Sequence, residues 1–286
     1  MKKVLFIFLS LFLALNLYAH PNAQGYLFII GGGHRSESMM KKYIELTKKF
    51  NRGKIVIFPM ASSAPQEVGP ELVEEFTNLG AQEVEYHILD REQATKEEYL
   101  KILDDVGGVY FSGGVQSRLT DILVDTQLHH LLLEIYRKGA VIGGTSAGAA
   151  VMSKIMIVGE EKRRVEEGHA FEVILADNIV TSPGFGFIDT AIIDQHFVTR
   201  KRHNRLISLI IEHPELLGIG IDESTAIIVK PDETFEVVGE KNVIIYDPTQ
   251  STTEISSSHS MSGFNIIMHI LKSGDQFDLK AHKILK

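Results

Sequence analysis

At 286 residues, with 44% hydrophobic and 23% charged positions, the chain is long enough to bury a large α/β core and too apolar for a disordered or collagen-like protein. Its formal charge of -8 offers no concentrated positive surface for nucleic-acid phosphates, which leaves small molecules and peptides as the expected partners. The lack of any cysteine excludes disulfides, thiolate metal ligands, lipid attachment through an N-terminal Cys and a cysteine nucleophile.

The chain opens with Lys2 and Lys3, an apolar run from Val4 to Leu17, then Tyr18-Ala19 before the polar His20-Pro21-Asn22. This is the layout of a cleavable signal peptide over residues 1–19, cut near Ala19, and it places the mature protein in the periplasm or outside the cell. The apolar run is shorter than the roughly 20 residues of a spanning helix, so no stable membrane anchor is expected. Cleavage removes two of the 29 basic residues and none of the 37 acidic ones, taking the formal charge from -8 to -10. Residues 20–286 are expected to form a single domain.

From Gly25 onward short apolar runs alternate with amphipathic stretches, the pattern of βα units around a mostly parallel sheet. Strands are predicted at Leu27 to Ile30, Lys54 to Phe58, Glu83 to Ile88, Gly108 to Phe111 and Ala140 to Ile142. Helices are predicted at Ser36 to Phe50, Gln66 to Leu79, Lys96 to Asp104, Ser117 to Val124 and Leu128 to Lys138, with Gly80 and Gly139 as C-terminal stops. A further helix is expected from Ser146 to about Lys154, and a charged exposed loop or short helix from Glu160 to Gly168. The second half is richer in β: strands around Val180, Ile192 and Ile219, and at Ala226 to Val229, Phe235 to Val238 and Val243 to Tyr246. One more amphipathic helix is read at Phe197 to Ile211. Thr249 to Ser260 reads as a surface linker, and Ile266 to Leu271 with Phe277 to Lys280 as a closing hairpin around Ser273-Gly274-Asp275.

Gly144-Thr145-Ser146-Ala147-Gly148 satisfies G-x-S-x-G between an apolar strand and a helix, the context in which that pattern carries a nucleophile. The glycines avoid collisions at a sharp turn, which lifts the Ser146 hydroxyl clear of the sheet and aims helix N–H groups at a developing oxyanion. The same residues also suit a plain glycine turn with an N-capping serine. A second turn, Ser112-Gly113-Gly114-Val115-Gln116, closes another strand, and Gly114 N–H with Ala147 N–H forms a candidate oxyanion hole. Gly31-Gly32-Gly33 lacks the spacing and following acid of a dinucleotide fingerprint and reads as a site-lining loop.

A serine hydroxyl needs a base, and twelve histidines compete for that role. His129, His130 and His203 fall on predicted helices, where solvation or capping is the default; His20, His259 and His282 lie near ends or linkers. His196 ends the apolar run Ile192-Ile193-Asp194-Gln195, a position that faces a site. Asp194 and Glu223 are the candidate carboxylates, Glu223 closing Gly218 to Asp222 and Asp194 placed to line the pocket. Arg200, Arg202 and Arg205 suit either carboxylate recognition by guanidinium forks or a solvated helix face.

Four segments, Tyr110 to Leu123 (YFSGGVQSRLTDIL), Val141 to Ser153 (VIGGTSAGAAVMS), Ile192 to Ile207 (IIDQHFVTRKRHNRLI) and Gly218 to Val229 (GIGIDESTAIIV), resemble cyanophycinase and its relatives, serine exopeptidases that include the aspartyl dipeptidases. Weaker similarity runs from about Tyr26 to Leu279. The resemblance implies a flavodoxin-like, class I glutamine amidotransferase-like three-layer α/β fold, with Ser146 as nucleophile, His196 as base and Glu223 as orienting acid. It implies that Gln116, Asp194, Gln195, Arg200, Arg202 and Arg205 line the substrate pocket, that no metal or organic cofactor is needed, and that the protein forms a homodimer. The implied substrate is a β-Asp-Arg polymer cut to dipeptides, or short α- or iso-aspartyl dipeptides. Two departures bear on that choice: Val115 stands where the family usually has aspartate, and Gly33-His34-Arg35 replaces an acidic stretch. An esterase or amidotransferase-like enzyme, and a secreted binding protein without turnover, are the competing classes.

Overall fold

The computed structural model describes residues 23–51, 53–163, 166 and 169–285. Residues 1–19, read from the sequence as a signal peptide, lie outside them. No helix among the described residues is long and apolar enough to cross a membrane.

The first half alternates as its apolar runs dictate: β1 (Tyr26–Ile30), α1 (Glu37–Thr47), β2 (Lys54–Phe58), α2 (Pro65–Asn78), β3 (Val84–Tyr86), two single-turn helices α3 (Arg91–Ala94) and α4 (Glu97–Leu100), then β4 (Val106–Phe111), α5 (Gln116–Leu123), α6 (Gln127–Lys138) and β5 (Val141–Thr145). Ser36 caps α1 through the Met39 N–H and Thr126 caps α6 through the His129 N–H, while Gly139 ends α6 at φ 130°. The second half begins with the one-turn helix α7 (Ala147–Ala150), followed by β6 (Ile155–Glu161), β7 (Ile179–Pro183), β8 (Ala191–Gln195), α8 (His203–Glu212), β9 (Leu217–Ile221), β10 (Thr225–Val229), β11 (Thr234–Gly239) and β12 (Val243–Asp247). It closes with β13 (Thr252–Ile255), β14 (Met261–Phe264), β15 (Ile267–Leu271), β16 (Gln276–Asp278) and β17 (Lys283–Leu285).

Nine strands form one sheet in the order β17-β16-β11-β10-β1-β5-β4-β2-β3. The five strands of the first half run parallel within it, and β10, β11, β16 and β17 extend it antiparallel beyond β1. Strand alternation sends successive side chains to opposite faces. Phe28 and Ile30 pack with Met40 and Tyr43 of α1 and Phe76 of α2, whereas Leu27 and Ile29 pack with Leu119 of α5 and Leu132 of α6. Both faces are therefore covered, which is what near-continuous apolar strands require.

A second sheet, β15-β12-β9-β8, lies on the α5–α6 side. Its Ile193, Ile219 and Ile245 join the core shared with the large sheet, and its outer face packs Ile192 and Ile244 against Leu206 and Ile210 of α8. The pair β8–β9 is parallel, with Gln195 opposite Ile221, so these two strands end side by side.

Four expectations are corrected. The helix after Ser146 stops at Ala150 because the next carbonyls are claimed from elsewhere: Phe185 N–H donates to Val151 O at 2.7 Å and Ile188 N–H to Met152 O at 3.0 Å. The helix expected from Phe197 begins at His203, since Arg202 N–H turns back to Phe197 O at 3.0 Å and Lys201 sits at φ 54°. Thr249 to Ser260 is not only a linker, because Thr252–Ile255 pairs with Met261–Phe264. The closing hairpin is split: β15 pairs with β12, and β16 pairs with β11, where Phe277 meets Phe235 with ring centroids 5.7 Å apart. The Ser273-Gly274-Asp275 turn forms, with Gly274 at φ 89°, but it carries the chain from one sheet to the other. The long-range ladders bury Leu271 and Phe277 fully, which a local hairpin could not do.

Candidate active site

Four segments meet at the carboxyl ends of their strands, where open α/β sheets bind ligands. β1 and β5 are parallel with Ile30 opposite Thr145, so Gly31 and Ser146 leave the large sheet together. His196 and Glu223 leave β8 and β9 of the second sheet. The loop after β1 stitches the two sheets: Ile30 O accepts the Ser146 N–H at 3.0 Å, Gly31 O the His196 N–H at 2.7 Å, and Gly32 O the Ser224 N–H at 2.8 Å.

The three glycines of that loop leave room for the site. A Cβ on Gly32, at φ 105°, falls 2.3 Å from His196 Cε1, and one on Gly33, at φ 69°, falls 2.8 Å from Glu223 Cβ. A Cβ on Gly31 falls 2.2 Å from Asp222 O. The G-G-G cluster is thus a seat for the imidazole and carboxylate, which carries the site-lining reading further.

Ser146 itself adopts φ 52° and ψ -106°, the strained turn that the glycine spacing requires. A Cβ on Gly144 falls 2.4 Å from Gly148 O and one on Gly148 falls 2.3 Å from Phe111 O, so the two flanking glycines let strand, turn and helix close on one another. Ser146 Oγ lies 2.8 Å from His196 Nε2, and His196 Nδ1 lies 2.7 Å from Glu223 Oε1. With Glu223 ionised, Nδ1 carries the proton and Nε2 is left as the acceptor for the serine hydroxyl. The bland alternative for Ser146, an N-cap, finds no side-chain capping bond.

Burial holds the His196 pKa below its ordinary value; the Glu223 hydrogen bond opposes that shift, and the charges of Arg200 and Arg202 reinforce it. A base works only when neutral, so the depressed value extends the active form toward acid. The kcat/KM profile should keep its plateau below the ordinary imidazole value of about 6.5 and fall only beneath it. Replacing Arg200 by Gln should move that limb upward, and a limb that stays put would show that the arginine charge is not felt at His196.

The glycine turn after β4 lies beside the serine, for a Cβ on Gly113 would meet Ser146 Cβ at 3.5 Å. Gly114, at φ 141°, is pressed on Ala61 O, where a Cβ would lie at 2.0 Å. Among the described residues the Gly114 and Ala147 N–H groups donate to no protein acceptor.

The other pocket residues fall into two groups. Arg200 is exposed and Arg202 half-buried, its Nη1 donating to Gln195 O at 2.7 Å and to Gln195 Oε1 at 2.6 Å. Burial and the neighbouring Arg205 charge lower the Arg202 pKa to about 10, which leaves it cationic at neutral pH. Gln116 is buried and turned inward, its Nε2 donating to Ile157 O at 2.8 Å and Val158 O at 2.5 Å. Arg205 and Asp194 are each 1% exposed and bind one another in a fork, Nε to Oδ2 at 2.7 Å and Nη2 to Oδ1, with Phe171 stacked on the guanidinium at 5.0 Å. These two were expected to line the substrate pocket; in the structure each is engaged by the other, and together they brace the end of β8 from below.

Sequence reasoning missed three neighbours of the relay. Asp222 Oδ1 accepts the Thr199 N–H at 2.9 Å, and Lys241 Nζ donates to Thr199 Oγ1 at 2.8 Å. Only the DE dipeptide in Ile221-Asp222-Glu223 hinted at the first; Lys241 reads as an ordinary turn residue. Two histidines assigned to solvent or capping roles are packed instead, His129 Nε2 lying 2.9 Å from Phe185 O and His203 Nδ1 2.7 Å from Tyr246 OH.

A serine, a histidine and a glutamate joined in sequence at strand ends define a serine hydrolase. The profile of peptidase family S51 matches residues 27–237, and the chain belongs to that family of serine-type peptidases. The cyanophycinase of Trichormus variabilis is 36% identical over 237 residues, covering 81% of this chain and 77% of its own. The cyanophycinase of Synechococcus elongatus is 31% identical over 276 residues, 93% of this chain and 83% of its own. A solved peptidase from an acI-B1 actinobacterium shares the fold, with a TM-score of 0.67 at 23% identity over 90% of this chain and 98% of that one.

Proposed function

We propose that this S51 peptidase is an exported exopeptidase that hydrolyses aspartyl peptide bonds, with a cyanophycin-like β-Asp-Arg polymer as substrate and release of dipeptides. The carrying observation is the connected relay from Ser146 through His196 to Glu223, beside the cationic pair Arg200 and Arg202. A chain of aspartate units offers carboxylate or carbonyl oxygen to each guanidinium. In this reading Ser146 Oγ attacks the scissile carbonyl while His196 Nε2 takes the hydroxyl proton, and the imidazolium is stabilised by Glu223. The oxyanion is met by the N–H groups of Gly114 and Ala147. His196 then returns the proton to the leaving amine, and water repeats the sequence on the acyl-enzyme.

The parallel order β3-β2-β4-β5-β1, with helices on both faces, supports a flavodoxin-like layout for the core of the fold. Export rests on residues 1–19, and a homodimer is part of the same reading through the family resemblance. A second substrate reading, α- or iso-aspartyl dipeptides, draws support from Val115, which is 46% exposed next to the Gly113-Gly114 turn and offers no charge to an arginine side chain. Mass analysis of products after incubation with cyanophycin and a panel of α- and β-aspartyl dipeptides separates the two. Release of β-Asp-Arg is the expected result; cleavage of dipeptides alone selects the second reading, and cleavage of neither, by enzyme whose serine reacts with a fluorophosphonate, overturns both.

A further inference from the structure

The orienting acid has a second oxygen, and the surrounding structure gives it a cation. Lys241 Nζ lies 3.9 Å from Glu223 Oε2 and 3.7 Å from Asp222 Oδ2, while it donates to Thr199 Oγ1 at 2.8 Å. Thr199 belongs to the turn that follows His196, and its N–H donates to Asp222 Oδ1 at 2.9 Å. The lysine therefore sits where the turn after the base meets the turn that carries the acid.

The backbone holds it there. Lys241 N–H donates to Thr225 Oγ1 at 2.9 Å, Glu240 N–H to Ser224 O at 2.9 Å, and Asp222 N–H to Asn242 O at 3.2 Å. Three bonds thus pin the turn between β11 and β12 along residues 222–225, on both sides of Glu223. Burial by itself would raise the Asp222 pKa, but the Thr199 N–H and the nearby lysine hold it below the ordinary carboxylate value. Two adjacent carboxylates repel, and Asp222 is already held by the Thr199 N–H while Glu223 offers Oε1 to His196. A cation on the far side of Glu223 draws Oε2 away and leaves Oε1 for His196, while it offsets the charge of Asp222.

We infer that Lys241 is a positioning residue of this enzyme: through Glu223 Oε2, Asp222 and Thr199 it fixes the carboxylate that orients His196. The inference rests on the Ser146–His196–Glu223 relay of the proposed function and is independent of which peptide is cleaved.

A fluorophosphonate reads the relay without any peptide. Ser146 Oγ forms the bond to phosphorus, the P–F bond breaks, fluoride leaves, and His196 Nε2 takes the hydroxyl proton. The second-order labelling rate of Lys241→Met should fall about tenfold at neutral pH, a part of the roughly 10²–10⁴-fold that general-base assistance contributes, since the base is loosened rather than removed. Removing a positive charge near the imidazole also favours its protonated form, so the acid limb of the labelling profile should move to higher pH. Lys241→Arg keeps a cation over the same carboxylates and should restore most of the rate. Rates are normalised to folded protein by thermal melts, so a loss of stability does not imitate the effect. Labelling of Lys241→Met at the wild-type rate with an unmoved limb would overturn the inference, as would a rate equally low in Lys241→Arg. Failure of the wild-type protein to label at Ser146 would instead overturn the relay itself.

Discussion

Ser146→Ala is expected to lower aspartyl-peptide hydrolysis by on the order of 10⁴-fold or more, and to abolish fluorophosphonate labelling, while the protein stays folded. Loss of the nucleophile alone disables a triad almost completely, because the base and acid have nothing left to activate. The fold should tolerate the change, since the Ser146 side chain makes one bond, to His196 Nε2, and the turn is fixed by its backbone N–H to Ile30 O. Ser146→Gly removes the same hydroxyl and relieves the strain of φ 52°, so it should be as inactive and at least as stable. Turnover counts against unreacted substrate, with melts on both variants, check this; retained hydrolysis in either would remove Ser146 from the mechanism.

Arg205→Leu should be the most destabilising single change near the site. It leaves Asp194, 1% exposed, with only the Arg202 guanidinium, 3.8 Å from its Oδ1, as counter-charge, and breaking a buried pair of this kind costs up to about 3–5 kcal/mol. For a chain of this size that corresponds to a fall in Tm of roughly 10 °C. Asp194 Oδ1 also accepts the Gln195 N–H at 2.7 Å, one residue before His196, so the damage reaches the base. Replacing both partners, Asp194→Leu with Arg205→Met, removes charge and counter-charge together and should recover much of the stability without recovering activity. A single Arg205→Leu variant that melts within a degree or two of the wild type would mean that the pair carries no structural load and that Arg205 is free for substrate.

The contrast between these two variants reflects how the site was legible. Ser146 announces itself because a strained turn demands glycines at 144 and 148, and a sharp steric need leaves a local signature. His196 and Glu223 became candidates by a different kind of signal, an apolar run that ends in a polar residue, and their roles as base and acid came only with the family resemblance. That signal marks the end of a strand but not which strands are neighbours. The fork between Arg205 and Asp194 left no such mark: an arginine eleven residues from an aspartate reads equally well as substrate contact, solvated face or internal pair, and burial alone separates them.

The same division runs through the fold. The five parallel strands and their helices were readable, because each is a local apolar period bounded by Gly or Pro. The end of the chain was not, because β15 and β16 flank a genuine turn signal and yet belong to different sheets. Hairpin geometry is a local preference, and the burial of Leu271 and Phe277 against β12 and β11 outweighs it. The short α7 has the same origin, since the carbonyls that would have continued it are taken by residues 185 and 188.

By itself, then, the sequence determined the nucleophile turn, the parallel core and the family, all of which rest on spacing within a few residues or on motifs kept in order. Tertiary structure decided which carboxylate faces His196, that the loop after β1 stitches two sheets around the imidazole, and that Lys241 stands behind the acid. Those are contacts between segments tens of residues apart, and their free energy comes from burial and charge pairing that no local pattern encodes.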